Sequence, residues 1–457
     1  MQASPTPSRR AAIVGYCRIP FARQNTAYAT AGNGDMMTAA LNGLIDRYHL
    51  HGQLLGEVAG GAVIKHSSEF NLMRECVMST ALDPATPACD LQQACDTGIE
   101  SAIYIANKIS LGQIEVGIAG GVDSTSNVPL VLKEGLRKAL LAARRSKTTL
   151  GRIRALSKIK FSDLVPVAPI NNEPRTGLSM GGHTELTARH YGISRADQDQ
   201  FALESHQKMS RAYDRGFFDD MIVPYLGLTR DNNLRNDTSL EKLAKLKPAF
   251  DPVNGTLTAG NSSPLTDGAS CILLASEAWA AQHGLPVLAY ITHAELAAIE
   301  YVQHRENLLL APVYTSARML AKAGLTLQDF DFYEVHEAFT AQVLATLKIW
   351  ESPELSAQFG VVPNLGRIDR ARLNVTGSSI PAGHPFAATG GRILATTAKL
   401  LHEKGSGRAF ISVCAAGGQG ITVILEKQFL FDKICLKYET CCHHRTWSSH
   451  TAWKFSC

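Results

Sequence analysis

Three side chains lying far apart in the chain have the chemistry to carry a group covalently and to move a proton: Cys95, His384 and Cys414. Cys95 lies in QQACDTG, residues 92–98, just ahead of a stretch in which Ile99, Ala102, Ile103 and Ala106 recur at helical spacing. A thiol at a helix N-terminus meets the positive end of the backbone dipole, which favours the thiolate and so nucleophilic attack. Free cysteine is also a common small core residue, so Cys95 taken alone has both readings. His384 lies in GSSIPAGHPFAATGGR, residues 377–392, where glycines and a proline hold a loop ahead of a second helical stretch. An imidazole there can take the proton of a thiol. Cys414 closes an apolar run that ends on Gly417 and Gly418, where bare backbone lets a substrate approach. A second thiol at such a place can act as acid and base toward carbon.

The elements that must position these groups are legible around them. Residues 95–121 predict a helix stopped by Gly112 and then a buried strand, VGIAGG (Val116 to Gly121). The same grammar returns near the other end: Gly390, Gly391 and Arg392 open a helix through Leu401, Gly405 stops it, and AFISVCAAGG (Ala409 to Gly418) is a strand. The endings IAGG and AAGG lie 297 residues apart, which points to two copies of one helix–strand unit and a duplicated α/β fold.

Between the copies, residues 130–160 carry Lys133, Arg137, Lys138, Arg144, Arg145, Lys147, Arg152, Arg154, Lys158 and Lys160 against one acid, Glu134. This reads as a solvated helical hairpin in an inserted loop domain, or as a basic face for the phosphates of a ligand, an anionic membrane surface or an acidic partner subunit. Residues 428–457 change composition abruptly and read as a disordered or non-native extension. Cys441, Cys442, His443 and His444 there lack the gaps that tetrahedral zinc ligation uses, so no metal is expected.

The 457 residues exceed one ordinary core, and 45% hydrophobic with 19% charged residues is a globular balance. A net charge of +4 does not by itself imply nucleic-acid binding, and no run of eighteen apolar residues calls for a membrane span. Arg9 and Arg10 precede no apolar h-region, and the strand-like residues from Ala11 leave little room for a presequence, so a cytoplasmic home is expected. The ten cysteines crowd into the tail or scatter without pair spacing, which fits a reducing compartment.

From the strand AAIVGYCRIPF (Ala11 to Phe21) to VILEK (Val423 to Lys427), the chain resembles the thiolase family. The resemblance is carried by QQACDTG, GIAGGVDSTS (117–126), SMGGHTE (179–185), GTLTAGNSSPLTDGAS (255–270), HEAF (336–339), GHPFAATGGR (383–392) and CAAGGQG (414–420). HEAF in place of the commoner Asn-Glu-Ala-Phe, the CAAGG turn, LKPAFDP and the basic insert look like the fatty-acid oxidation thiolases, the beta subunits of a bacterial or mitochondrial multienzyme complex, and more like the bacterial ones. The resemblance implies a thiolase-like duplicated, layered α/β fold. Its expected divisions are residues 11–124 with 266–287 as one half, 125–265 as loop domain, 288–427 as the other half, and 428–457 as a tail outside the family.

The same resemblance implies reversible CoA-dependent cleavage of a 3-ketoacyl-CoA through an acyl-cysteine, with CoA as substrate and no cofactor. Cys95 is then the acyl acceptor, His384 its activator and Cys414 the acid and base toward the departing carbanion. His384 and a water held by His336 would face the thioester oxygen, while backbone N–H groups of Cys95 and Ala416 would face the attacked carbonyl's oxygen. Glu337 would orient the site, or else be an acid favoured at a helix N-terminus, and Ser263 and Met180 would touch substrate. A dimer or tetramer and a hydratase–dehydrogenase alpha subunit are the implied partners. Asp96 departs from the family pattern: a carboxylate beside the nucleophile opposes thiolate formation unless it turns away or caps the helix. Ala416 should have a negative φ to sit without strain. An acetoacetyl-CoA thiolase, a decarboxylating condensing enzyme, which needs no second cysteine, and a non-catalytic CoA- or lipid-binding scaffold are the rival readings.

Overall fold

A computed structural model describes residues 9–167 and 171–428. The zinc question raised by the tail cysteines and histidines lies outside them. Among the described residues no group of three or more His, Cys, Asp or Glu side chains could hold a metal ion, and no helix is long and apolar enough to cross a membrane.

Nine strands form one sheet: β1 (Ala11–Arg18), β2 (Glu57–Gly60), β3 (Ala88–Asp90), β4 (Val116–Asp123), β5 (Thr266–Ser276), β6 (Ala289–Ala298), β7 (Phe332–Val335), β8 (Gly407–Ala415) and β9 (Gln419–Lys427). A two-residue strand, Ala22–Arg23, adds to β5. The spatial order is β3-β2-β4-β5-β1-β6-β9-β8-β7. Outward from the centre, β1-β5-β4-β2 and β6-β9-β8-β7 repeat one order, so the duplication inferred from a four-residue echo is a property of the whole topology. β3 is an additional edge strand on the first copy. The copies are joined by three residue pairs between β1 and β6, from Ala11↔Ile291 to Ile13↔Ala289.

Strand periodicity then builds the layers, because alternate residues face opposite ways. Ile13, Ile272 and Leu274 of the first copy and Ile411, Val413, Ile421 and Val423 of the second share one core with Ile99, Ala102, Ile393 and Leu394. These last four belong to α1 (Thr97–Ser110) and α6 (Ala388–Lys404), the helices of the two copies. The alternate set in the first copy, Val14, Cys271 and Leu273, packs a separate core with Met37 and Leu41. In the second copy Phe410, Cys414 and Ile424 do the same with Val343 and Trp350. Two half-sheets therefore sandwich α1 and α6, and each carries helices on its outer face. Gly112 (φ 71°) and Gly405 (φ 93°) end the central helices in left-handed conformations, as their positions in the sequence predict.

The insert folds as α2 (Glu134–Arg145) and α3 (Thr149–Leu156), followed further along by α4 (Met180–His190), while α5 (Thr340–Glu351) follows β7. The expected hairpin of α2 and α3 is therefore present, but it is not merely a solvated charged face. Leu150 is 76% and Ile153 59% exposed among its cations, so it presents apolar side chains as well.

Candidate active site

Close contact between α1 and α6 brings the two copies' chemistry together. A Cβ on Gly98 would lie 2.5 Å from the Ala387 carbonyl oxygen, and one on Gly390 would lie 2.4 Å from the Ile99 nitrogen. Only glycines permit these backbones to meet. As a result His384 Nε2 reaches 3.1 Å from Cys95 Sγ across 289 residues of sequence. For Nε2 to accept the thiol proton, Nδ1 must carry the ring proton, and Thr389 Oγ1, 2.7 Å away, is placed to accept it. The His384 N–H donates to Thr266 Oγ1 at 3.1 Å, which fixes the base from β5.

Cys95 stands on a constrained turn. Ala94, immediately before Cys95, has φ 45°, a left-handed conformation that costs a non-glycine residue about 1 kcal/mol or more. Thr97 holds this turn: its hydroxyl donates to the Ala94 carbonyl and accepts the Gln93 N–H, both at 2.8 Å. The N–H groups of Ala416 and of Cys95 itself point to the Cys95 sulfur. Ala416 is not among the residues of positive φ; Gly417 (78°) and Gly418 (70°) take the left-handed positions, so Ala416 presents its N–H without strain.

The electrostatics correct one expectation. Burial, then Asp96, push the Cys95 thiol up to about 12, outweighing the Ala416 and Cys95 N–H groups that favour the anion. Burial and then the Arg392 cation push His384 down to about 3. The helix terminus therefore does not hold a resting thiolate. The pair rests as thiol and neutral imidazole, an arrangement in which a proton can pass from sulfur to nitrogen across the 3.1 Å gap. Cys414, buried at the end of β8, is pushed well above the ordinary thiol range by burial and then by Cys95 and Asp96, so it too rests protonated.

Asp96 occupies the N-cap position of α1 but does not cap it: its backbone is helical and no N–H bonds its side chain. Both carboxyl oxygens are buried without a protein partner, and burial, with Glu100 beyond it, drives the group well above the usual carboxylate range. Burial thus favours its protonated form, and Asp96 opposes the Cys95 thiolate only when it is itself ionised. Asp96→Asn is accordingly expected to leave thiol alkylation by iodoacetamide within about twofold of the parent at pH 7. The variant should be faster only at alkaline pH, where ionised Asp96 would otherwise oppose the thiolate. A tenfold gain at pH 7 would refute this.

Asp123, which a motif contains, and Glu173, which none does, hold the site in place. Asp123, at the end of β4, accepts N–H bonds from Val63 (2.9 Å), Ile64 (2.8 Å) and Ala387 (2.8 Å), tying the loop that carries His384 to the first copy. Glu173 accepts the Gly417 N–H at 2.6 Å and the Tyr301 hydroxyl at 2.8 Å, fixing the turn after Cys414 from the insert. A chain contact across hundreds of residues leaves no local signal in sequence, although an acid just after a Gly-Gly strand end is a feature that could have marked Asp123.

His336 follows β7, fully buried, with its ring centroid 4.3 Å from that of His384. Glu337 is not a helix N-terminal acid. It is buried and accepts bonds from Asn374 Nδ2 (2.7 Å), the Ser205 hydroxyl (2.8 Å) and the Ile380 N–H (3.0 Å), clasping three segments behind the histidines.

Cys95, Ala416 and Met180 line a cavity of about 1010 Å³, with Val63, Ile64, Val128, Leu265 and Phe386 as its apolar wall. Ser263 does not reach it. Ser263 instead lines a neighbouring cavity of about 500 Å³ with the cations Arg23, Arg235 and Lys242. Consecutive residues, Arg23 then Gln24 and Pro264 then Leu265, line the second cavity and the first, so the two flank the same segments.

Comparison with known proteins gives a single answer. The family model described as thiolase, N-terminal domain, matches residues 11–278, and that described as thiolase, C-terminal domain, matches residues 285–427. A 3-ketoacyl-CoA thiolase of Yersinia enterocolitica is 38% identical over 424 residues, covering 91% of this chain and 97% of that one. The crystal structure of human mitochondrial 3-ketoacyl-CoA thiolase in complex with CoA superposes with a TM-score of 0.76 at 27% identity, over 92% of this chain and 98% of the other. The Bacillus anthracis acetyl-CoA acetyltransferase does so with a TM-score of 0.76 at 28% identity, over 92% and 99%.

Proposed function

The chain belongs to the thiolase family, and from this we propose that it cleaves 3-ketoacyl-CoA with CoA to give acetyl-CoA and an acyl-CoA shortened by two carbons, reversibly, as in fatty-acid beta-oxidation. The observation that carries the reading is the 3.1 Å contact of His384 Nε2 with Cys95 Sγ beside a cavity large enough for an acyl chain.

In the proposed reaction His384 takes the Cys95 proton as the sulfur attacks the 3-keto carbon. The N–H groups of Cys95 and Ala416 receive the oxyanion. The bond between C2 and C3 breaks, its electron pair leaves with the acetyl-CoA fragment, and the Cys414 thiol protonates that carbanion. CoA then enters, Cys414 takes its thiol proton, and the CoA thiolate displaces the acyl group from Cys95, which recovers its proton from His384. His384 and a water on His336 serve the thioester oxygen, and Glu337 keeps their loops in register. Arg23 and Arg235 give the Ser263 cavity the positive charge that CoA phosphates need, Lys242 there being paired with Asp237 at 2.6 Å. Met180 and the apolar wall around Cys95 would take the acyl chain.

The apolar wall of Val63, Ile64, Val128, Leu265 and Phe386 beside Cys95 favours longer chains over acetoacetyl-CoA, because each added methylene has apolar surface to meet. A thiolysis series over 3-ketoacyl chain length tests both the activity and this preference. Rates that rise from four carbons to longer chains are expected. A series highest at four carbons would assign short-chain metabolism, and one indistinguishable from a Cys95→Ala blank would end the reading.

CoA is on this reading a substrate, with no cofactor required. The exposed basic and apolar hairpin of α2 and α3 suits an acidic partner such as a hydratase–dehydrogenase subunit, or an anionic membrane surface. We further propose a cytoplasmic, homo-oligomeric enzyme. Its halves would be 11–124 with 266–287 and 288–427, around a loop domain at 125–265.

A further inference from the structure

The hydrogen-bond directions behind His336 determine which of its nitrogens holds the proton. His336 Nδ1 lies 2.9 Å from Ser379 Oγ, whereas Nε2 is buried with no protein partner. The same Ser379 oxygen receives an Nη2–H of Arg392 at 2.9 Å. A guanidinium only donates, so toward Arg392 the serine oxygen is an acceptor. Its own O–H then needs an acceptor, and His336 Nδ1 is the one recorded for it among the described residues. Were Nδ1 protonated, the oxygen would accept twice and its proton would be stranded in a fully buried place, a loss that native interiors avoid.

Arg392 is itself immobilised. It is buried, Nη2 also donates to Ser378 Oγ at 3.1 Å, and the Ser378 hydroxyl donates to Glu334 Oε1 at 2.6 Å. Glu337 fixes the same turn through the Ile380 N–H at 3.0 Å. Burial, with His384 and Arg392 adding to it, pushes His336 well below the ordinary imidazole range, so the ring stays neutral with one proton to place.

We propose that Ser379 and Arg392 are positioning residues that hold neutral His336 as its Nε2–H tautomer. The ring thereby offers a fixed hydrogen-bond donor beside His384, directly or through one water, to the oxygen that gains charge in the reaction. The inference about the tautomer stands on these contacts. Its consequence for catalysis rests on the thiolase reading above.

The test uses the full-length enzyme labelled with ring-15N histidine, the His336 signals being identified by their loss in His336→Asn. The parent protein is expected to show a protonated Nε2 and a bare Nδ1 from pH 6 to 8. Ser379→Ala should move proton density to Nδ1 and lower kcat about tenfold with KM little changed, a fraction of the roughly 10²–10³-fold cost of losing an oxyanion donor outright. Ser379→Thr, which keeps the hydroxyl, should restore both. Arg392→Gln should shift the tautomer in the same direction as Ser379→Ala. A parent spectrum with the proton on Nδ1 would overturn the proposal whatever the variants do, and so would an unchanged tautomer in Ser379→Ala. Inactivity of the parent enzyme toward 3-ketoacyl-CoA would instead count against the thiolase reading, because the nitrogen spectrum is read without turnover.

Discussion

Replacing Cys95 by alanine is expected to lower kcat for thiolysis by on the order of 10⁴-fold or more, the scale seen when a covalent nucleophile is removed from an otherwise intact site. No other thiol among the described residues can stand in. Among the described residues Cys17, Cys76 and Cys271 are buried, Cys89 is partly buried on edge strand β3, and Cys414 faces the same site from another strand with its own proton held tightly. The cavity wall, the Ala416 N–H and the cations of the neighbouring cavity remain, so binding should survive the loss of chemistry. The variant is therefore expected to bind CoA with an unchanged Kd while intact mass after exposure to acetyl-CoA shows no adduct. A residual rate within tenfold of the parent, or an adduct on the Cys95→Ala protein, would displace Cys95 from its role. Because the sulfur opens onto the cavity, its removal creates little new void, and Tm should change by only a few degrees.

Replacing Cys414 by serine should separate the two halves of the reaction. A hydroxyl fits where the thiol was, but it is a poor proton donor to carbon and its conjugate base is far too costly in a buried strand end. Loss of a general acid–base group costs about 10²–10⁴-fold, and that loss should fall on thiolysis of 3-ketoacyl-CoA. Acylation of Cys95 by acetyl-CoA starts from the His384 pair and expels a CoA thiolate, which needs Cys414's proton far less than a carbanion does, so the acetyl adduct should still accumulate on intact-mass analysis. Full thiolysis in Cys414→Ser would favour a condensing chemistry that uses one cysteine. Loss of adduct together with turnover would mean that Cys414 supports the nucleophile itself.

The neutral resting state of Cys95 and His384 also sets an expected pH dependence. With the imidazole pushed down to about 3 and the thiol up to about 12, neither changes charge across the neutral range. A flat kcat/KM between about pH 6 and 9 follows for the acylation step. A thiolate–imidazolium pair would instead lose activity on an acid limb as its thiolate is protonated. The cause is burial, which penalises both ions and wins over the helix terminus that favours one of them.

Much of this protein could be read from its residues in order. Apolar spacing from Ile99 to Ala106 and the stops at Gly112 and Gly405 specify the two helices, because periodicity and left-handed turns are local properties. The ordered motifs specify a thiolase and name Cys95, His336, His384 and Cys414, since side-chain chemistry travels with the sequence. What the sequence left open depended on distance and on dielectric, neither of which is local. Gly98 and Gly390 look like helix-weakening residues until they are seen letting two backbones touch, which closes a 289-residue gap to 3.1 Å. Asp96 reads as a helix cap and is instead a buried, unpartnered acid, because the fold around it withholds both water and N–H donors. The proton on His336 is assigned by a serine and an arginine that no spacing rule connects to it. Residue order and local pattern set which groups are present and which helices and strands carry them. Which groups meet, and in which protonation states, is settled by packing, because it removes water around residues far apart in the chain.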